Sequence, residues 1–269
     1  MNQITSIFRC LLPFAAIITI YGSMIAQAKA LSTPNGKALA TFLLSASKYF
    51  KHALPTEKVE KFARIAMKPG GTKIVRDEIG KMNLPEDVIE DTFARILVYQ
   101  HRVERTEADG WMRRLSGTPG FKGAMSKSMG SSEANTIGHL NEVRIADSAA
   151  QANFKVHGIG VRFKDPNKKG DTDIDVLLER NGKLFAIEAK AYPADAAMPM
   201  DTFRADLLTL AEFRKANPQK QVIPVFAITN KPANPDVWKL LEHSAKGHGV
   251  EPLTGSADDV VLQLPLLLK

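Results

Sequence analysis

The 269-residue chain is 44% apolar and 24% charged, with 36 Lys and Arg against 29 Asp and Glu and a formal net charge of +7. That balance is ordinary for a globular protein with room for one large domain or two modest ones. A single cysteine, Cys10, excludes a disulfide framework, and no cysteine joins a histidine in a zinc pattern.

The chain opens with a mainly apolar run, Leu11 to Ile25, placed after Arg9 and followed by Ala26-Gln27-Ala28 and Ala28-Lys29-Ala30. These are the parts of a secretory signal peptide, so residues 1–30 predict export to the periplasm or beyond. The alternative is an uncleaved inner-membrane anchor, against which the run is slightly short and contains Pro13, Gly22 and Ser23. Residues 31–130 read as a basic helical domain, with 17 Lys and Arg against 11 Asp and Glu. Ala38 to Leu54 carries an apolar face of Leu39, Phe42, Leu43, Ala46, Tyr49 and Phe50. A second helix, Glu57 to Met67, is ended by Pro69-Gly70-Gly71. A third begins at Pro85, has Glu86 and Asp87 in its first turn, and runs to Val103. It reaches Trp111 only if Asp109-Gly110 does not stop it. Gly117 to Ser132, rich in Gly, Ser and Pro, is the expected domain boundary.

Residues 131–269 are nearly neutral, with 17 basic and 18 acidic side chains. Glu133 to Phe154 is helical by the recurrence of Ile137, Leu140, Val143, Ala146, Ala149 and Ala150, with Ser131 or Ser132 as its cap. Lys155 to Phe163 reads as a strand, followed by a loop over Asp165 to Gly170. Two apolar strands come next, Ile174 to Leu178 and Leu184 to Ile187, folded back at Asn181-Gly182. After a loop with two prolines, Asp201 caps a helix from Thr202 to Ala216 whose stripe is Phe203, Leu207, Leu210 and Phe213. Val222 to Thr229 is a buried strand, and its Pro224 suits a sheet edge. His243 and His248, beside Gly247 and Gly249, read as a loop.

The hairpin holds the chemistry. Glu188 and Lys190 are two apart, so on a strand they share a face, and the fold-back brings Asp175 alongside Glu188. Two carboxylates and an ammonium converge where apolar strands end, a place where stability alone rarely collects charge. The 13-residue separation of Asp175 and Glu188 suits two short strands and their turn.

This Asp…Glu-x-Lys pattern resembles the PD-(D/E)xK nuclease superfamily over about residues 131–230. The family's proline is absent: Ile174 stands before Asp175. The resemblance implies an α/β (α+β) fold, a restriction-endonuclease-like αβββαβ core with a mixed sheet, here preceded by the helical segment. It implies a metal-dependent endonuclease hydrolysing phosphodiester bonds, with DNA favoured over RNA. Asp175, Glu188 and the Ala189 backbone carbonyl would hold Mg²⁺, for which Mn²⁺ can substitute, and Lys190 would orient the attacking water. A glutamate on the first helix often joins such a site. Glu142 is the candidate, because Glu133 is explained by the helix dipole; a solvated helix position is the plainer alternative for Glu142. His139, one turn earlier, and Asp173, on the Asp175 strand face, are weaker candidates, and Lys168 and Lys169 are loop lysines within reach of a phosphate. The basic half offers a phosphate-binding surface. An exported nuclease of this kind suits a toxin or effector, which would require a cognate inhibitor. The rival reading is a catalytically inactive nucleic-acid-binding or structural module on the same fold.

Overall fold

The computed structural model describes residues 53–130, 132–165, 170–193, 195 and 197–268. The leader over residues 1–30, nearly all of the Ala38–Leu54 helix, and Lys168 and Lys169 lie outside the described residues. Among the described residues no helix is long and apolar enough to cross a membrane.

Among the described residues six helices precede the sheet: α1 (Thr56–Ala66), α2 (Gly71–Gly80), α3 (Glu86–Tyr99), α4 (Arg105–Leu115), α5 (Phe121–Ser128) and α6 (Glu133–Gln151). Three of them depart from the sequence reading. Pro69-Gly70-Gly71 does not lead to a loop. Gly70, at φ 71°, turns the chain directly into α2, whose first residue Gly71 lies against the Ile65 carbonyl too closely for any Cβ. Asp109-Gly110 lies inside α4, because Ala108, Trp111 and Leu115 bury a continuous stripe that outweighs the poor helix propensity of glycine. The expected boundary at Gly117–Ser132 contains α5, with Phe121, Ala124 and Met125 buried. The α4–α5 turn is docked on the sheet: Ile159 N–H donates to Pro119 O at 2.9 Å, and Gly120 (φ 84°) has no room for a side chain beside the Ile159 carbonyl.

The rest of the chain alternates: β1 (Lys155–Lys164), β2 (Asp171–Arg180), β3 (Lys183–Lys190), α7 (Met200–Ala216), β4 (Gln221–Ile228), α8 (Pro235–Gly247), β5 (Glu251–Thr254), α9 (Ala257–Gln263) and a 3₁₀ turn over Leu264–Leu268. The sheet is mixed, in the order β1-β2-β3-β4-β5, antiparallel as far as β3 and parallel beyond it. Helix, three strands, helix, strand is the core order that the resemblance implies. The short strand β5 has no counterpart in the sequence reading, and it makes β4 an internal strand. Pro224 is tolerated because β5 pairs only from Val225–Glu251 onward, leaving an open edge at the proline. His243 falls within α8, and His248 caps it with its ring on the Ser244 carbonyl at 2.9 Å.

Both sheet faces are covered, which is why β2 and β3 read as nearly unbroken apolar runs. On one face Val176, Leu178, Phe185 and Ile187 join the core built with α1 to α6, including Trp111 and Phe121. On the other, Leu177, Leu184, Ala186 and Phe226 pack on Phe203, Leu207 and Leu210 of α7 and Leu241 of α8. Phe154 meets Phe185 edge-on at 5.7 Å, and Phe203 meets Phe226 at 4.9 Å, tying α6 and α7 to opposite faces. Leu54–Lys269 forms one compact unit in which the preceding helices share the sheet's core.

Candidate active site

The site begins with a hairpin that fixes its own register. Asn181 and Gly182 have φ of 53° and 75°, the positive values that a two-residue turn of matching twist requires. From Arg180–Lys183 the pairing runs to Val176–Ile187. Continuing that register places Asp175 across from Glu188. Here the side chain replaces the ladder: Asp175 Oδ2 accepts the Ala189 N–H at 2.8 Å. The aspartate thus sits where β2 and β3 stop pairing, with its carboxylate held by the residue between Glu188 and Lys190. The far end of β3 is pinned from β4, since Thr229 N–H donates to Lys190 O at 2.9 Å.

Glu188 is 7% exposed. Its Oε1 accepts from Lys190 Nζ at 2.5 Å, and the same ammonium lies 3.1 Å from Asp206 Oδ2 on α7. Glu142 is buried on α6, with Oε1 2.8 Å from His139 Nδ1. The helix face that buries Leu140, Val143 and Ala146 against the sheet therefore also carries Glu142 to the strand ends. Asp173 is exposed and pairs in register with Arg162, away from any role as a buried ligand; Asp171 opens β2 opposite Lys164.

The electrostatics follow from like charges removed from water. Burial pushes Asp175 up to about 7, Glu142 adds to the rise, and Lys190 and the Ala189 N–H oppose it. Burial, and then the charges of Asp175 and Asp206, hold Glu188 well above the usual carboxylate range against the pull of Lys190. Burial alone would lower the Lys190 ammonium, but Glu188, Asp175 and Asp206 together outweigh it and raise it. The cluster is short of positive charge, with Lys190 serving several carboxylates.

Asp175, Glu188, Lys190 and Glu142 are thus brought to one end of the sheet, with Ala189 between Glu188 and Lys190. Oxygen donors of this kind suit a hard divalent cation. In this structure Glu188 turns to Lys190, and among the described residues no three His, Cys, Asp or Glu side chains stand in ligand geometry. Two residues were absent from the sequence reading. Asp206 interrupts an apolar stripe between Phe203 and Leu207, a signal that could have found it. Tyr192, half-buried in the loop after β3, has its phenol raised by burial and by Asp206 and Glu188, with Lys190 opposing.

No family model and no curated protein matches the chain. Solved structures similar to it include a protein of unknown function, AF1548, with a TM-score of 0.33 and 19% identity over 47% of this chain and 66% of that one. Another is SfsA of Pyrococcus furiosus in complex with Ca²⁺, with a TM-score of 0.24 and 15% identity over 45% of this chain and 58% of that one. In both cases less than two thirds of the solved chain is spanned.

Proposed function

We propose that the chain is a metal-dependent endonuclease that hydrolyses phosphodiester bonds in nucleic acid, with DNA as its favoured substrate and export as its route. The observation that carries this reading is the Asp175–Glu188–Lys190 group at the parting of β2 and β3, with Glu188 buried and the other two part-buried. Its carboxylates repel one another and leave negative charge that one lysine does not balance. Asp175, Glu188 and the Ala189 carbonyl would hold Mg²⁺ or Mn²⁺, with Glu142 completing the set from α6. Such an ion polarises the scissile phosphate and eases deprotonation of a water. Lys190, held protonated by its neighbours, donates to the attacking water or to a non-bridging phosphate oxygen as charge builds there. The water oxygen forms the new bond to phosphorus as the bond from phosphorus to the leaving oxygen breaks, and the proton lost by the water is balanced by one taken up from solvent by the leaving oxygen.

Exposed Lys58, Lys61, Lys68 and Arg76 on α1, α2 and the turn between them supply positive surface for a phosphate backbone. The test is cleavage of supercoiled plasmid, single-stranded DNA and tRNA by the purified full chain, with Mg²⁺, Mn²⁺ or EDTA and Lys190→Ala alongside. Metal-dependent cutting lost in the variant supports the reading. Cutting that survives the substitution points to a contaminant or a different site, and well-folded protein that cuts nothing turns the assignment to the inactive binding module.

A further inference from the structure

Lys190 is held from two elements, and the second holder is outside the Asp…Glu-x-Lys pattern. We propose that Asp206 is a positioning residue that fixes the Lys190 ammonium from α7, the consequence for catalysis resting on the nuclease reading. An ammonium has three N–H donors and no acceptor. Glu188 Oε1 accepts one of them at 2.5 Å, and Asp206 Oδ2 stands 3.1 Å from the nitrogen as a second counter-charge, so N–H capacity remains for a water or phosphate oxygen. A single contact to Glu188, two residues away on the same strand, leaves a flexible four-carbon side chain free to swing about that contact. A second charge, supplied from a different element, fixes where the ammonium sits.

The anchor is rigid. Asp206 stands between Phe203 and Leu207, both fully buried, and Phe203 is locked edge-on against Phe226 of β4. The Asp206 and Lys190 side chains are 17% and 20% exposed, so the pair is largely shielded from solvent competition. A purely stabilising role fits poorly, because Asp206 also adds to the repulsion acting on Glu188. Its placement worsens one carboxylate's environment while holding the lysine that the chemistry uses.

The test uses the full chain with Asp206→Asn and Asp206→Glu. In a proton–nitrogen spectrum tuned to lysine ammonium groups, the wild type should show one solvent-protected signal, assigned to Lys190 by its loss in Lys190→Arg. Asp206→Asn should expose that signal to rapid exchange. It should also lower kcat by about 10- to 100-fold, the scale of a misplaced catalytic group, with KM for DNA within about twofold. Asp206→Glu should recover most of both. An unchanged ammonium signal in Asp206→Asn overturns the proposal, and so does a fall in melting temperature with kcat intact. If the wild type cuts nothing, the nuclease reading fails by itself and the ammonium signal still decides whether Asp206 holds Lys190.

Discussion

Replacing Asp175 by Asn should make the metal-free protein more stable at alkaline pH and no more stable in acid. Asp175 sits at about 7, against about 3.9 for an aspartate in an unfolded chain. The folded state therefore binds the proton more tightly, so this group's contribution is fully present below about pH 4 and is lost as pH rises through about 7. The gap corresponds to an upper limit of roughly 4 kcal/mol at pH 8, at about 1.36 kcal/mol for each pH unit. Asparagine keeps an oxygen to accept the Ala189 N–H and removes the charge that Glu142 repels. Its amide must still be taken from water, at about 1–3 kcal/mol. A net gain of about 1–3 kcal/mol at pH 8 remains, or several degrees in melting temperature for a unit of this size. Urea unfolding in EDTA at pH 4.5 and at pH 8 reads it directly. Equal effects at both pH values, or a loss at pH 8, would refute the electrostatic account. Millimolar Mg²⁺ should then stabilise the wild type and leave Asp175→Asn nearly unmoved, because only an intact ligand set binds the ion to the native state.

Glu188→Gln and Lys190→Ala should each reduce cleavage by about 100-fold or more while the circular dichroism spectrum stays native, and EDTA should abolish wild-type cleavage until Mg²⁺ is restored. Glu90 is a buried carboxylate that accepts from Ser116 Oγ at 2.6 Å and Gly117 N–H at 3.1 Å. Glu90→Ala should cost about 1–3 kcal/mol in urea unfolding by orphaning those donors. Burial raises Glu90 in the fold, so the stability it contributes should decline as pH rises above about 4.3, and Glu90→Gln should flatten that decline. Gly120→Ala should destabilise by about 3 kcal/mol or more, because φ is 84° and a Cβ would meet the Ile159 carbonyl at 1.7 Å. A soluble, equally stable Gly120→Ala protein would mean that the α4–α5 turn is not docked on β1 as described.

What the sequence made legible is what local chemistry decides. Asn181-Gly182 sets the hairpin, period-two alternation sets its faces, and together they bring Asp175 to Glu188 before any tertiary contact is known. The helices α2 and α5 were hidden for a different reason. Their glycine-rich starts, Gly70-Gly71 and Gly120, read locally as breaks, but Gly71 and Gly120 lie where neighbouring backbone approaches too closely for a side chain, and Gly70 takes a positive φ of 71°. β5 was hidden by being only four residues long, with its identity resting on pairing to β4. Asp206 shows the same division inside the site. Its helix was evident, and so was the stripe it interrupts, but its partner lies on β3, and only the packing of Phe203 on Phe226 brings the two together. Side chains that contact their own strand or its hairpin mate are written in local spacing; those supplied across a layer are written in the core that aligns the layers. For this chain the difference has a chemical consequence. Asp175, Glu188 and Lys190 are carried by the hairpin, while Glu142 and the residue that holds the lysine come from helices packed on its two faces.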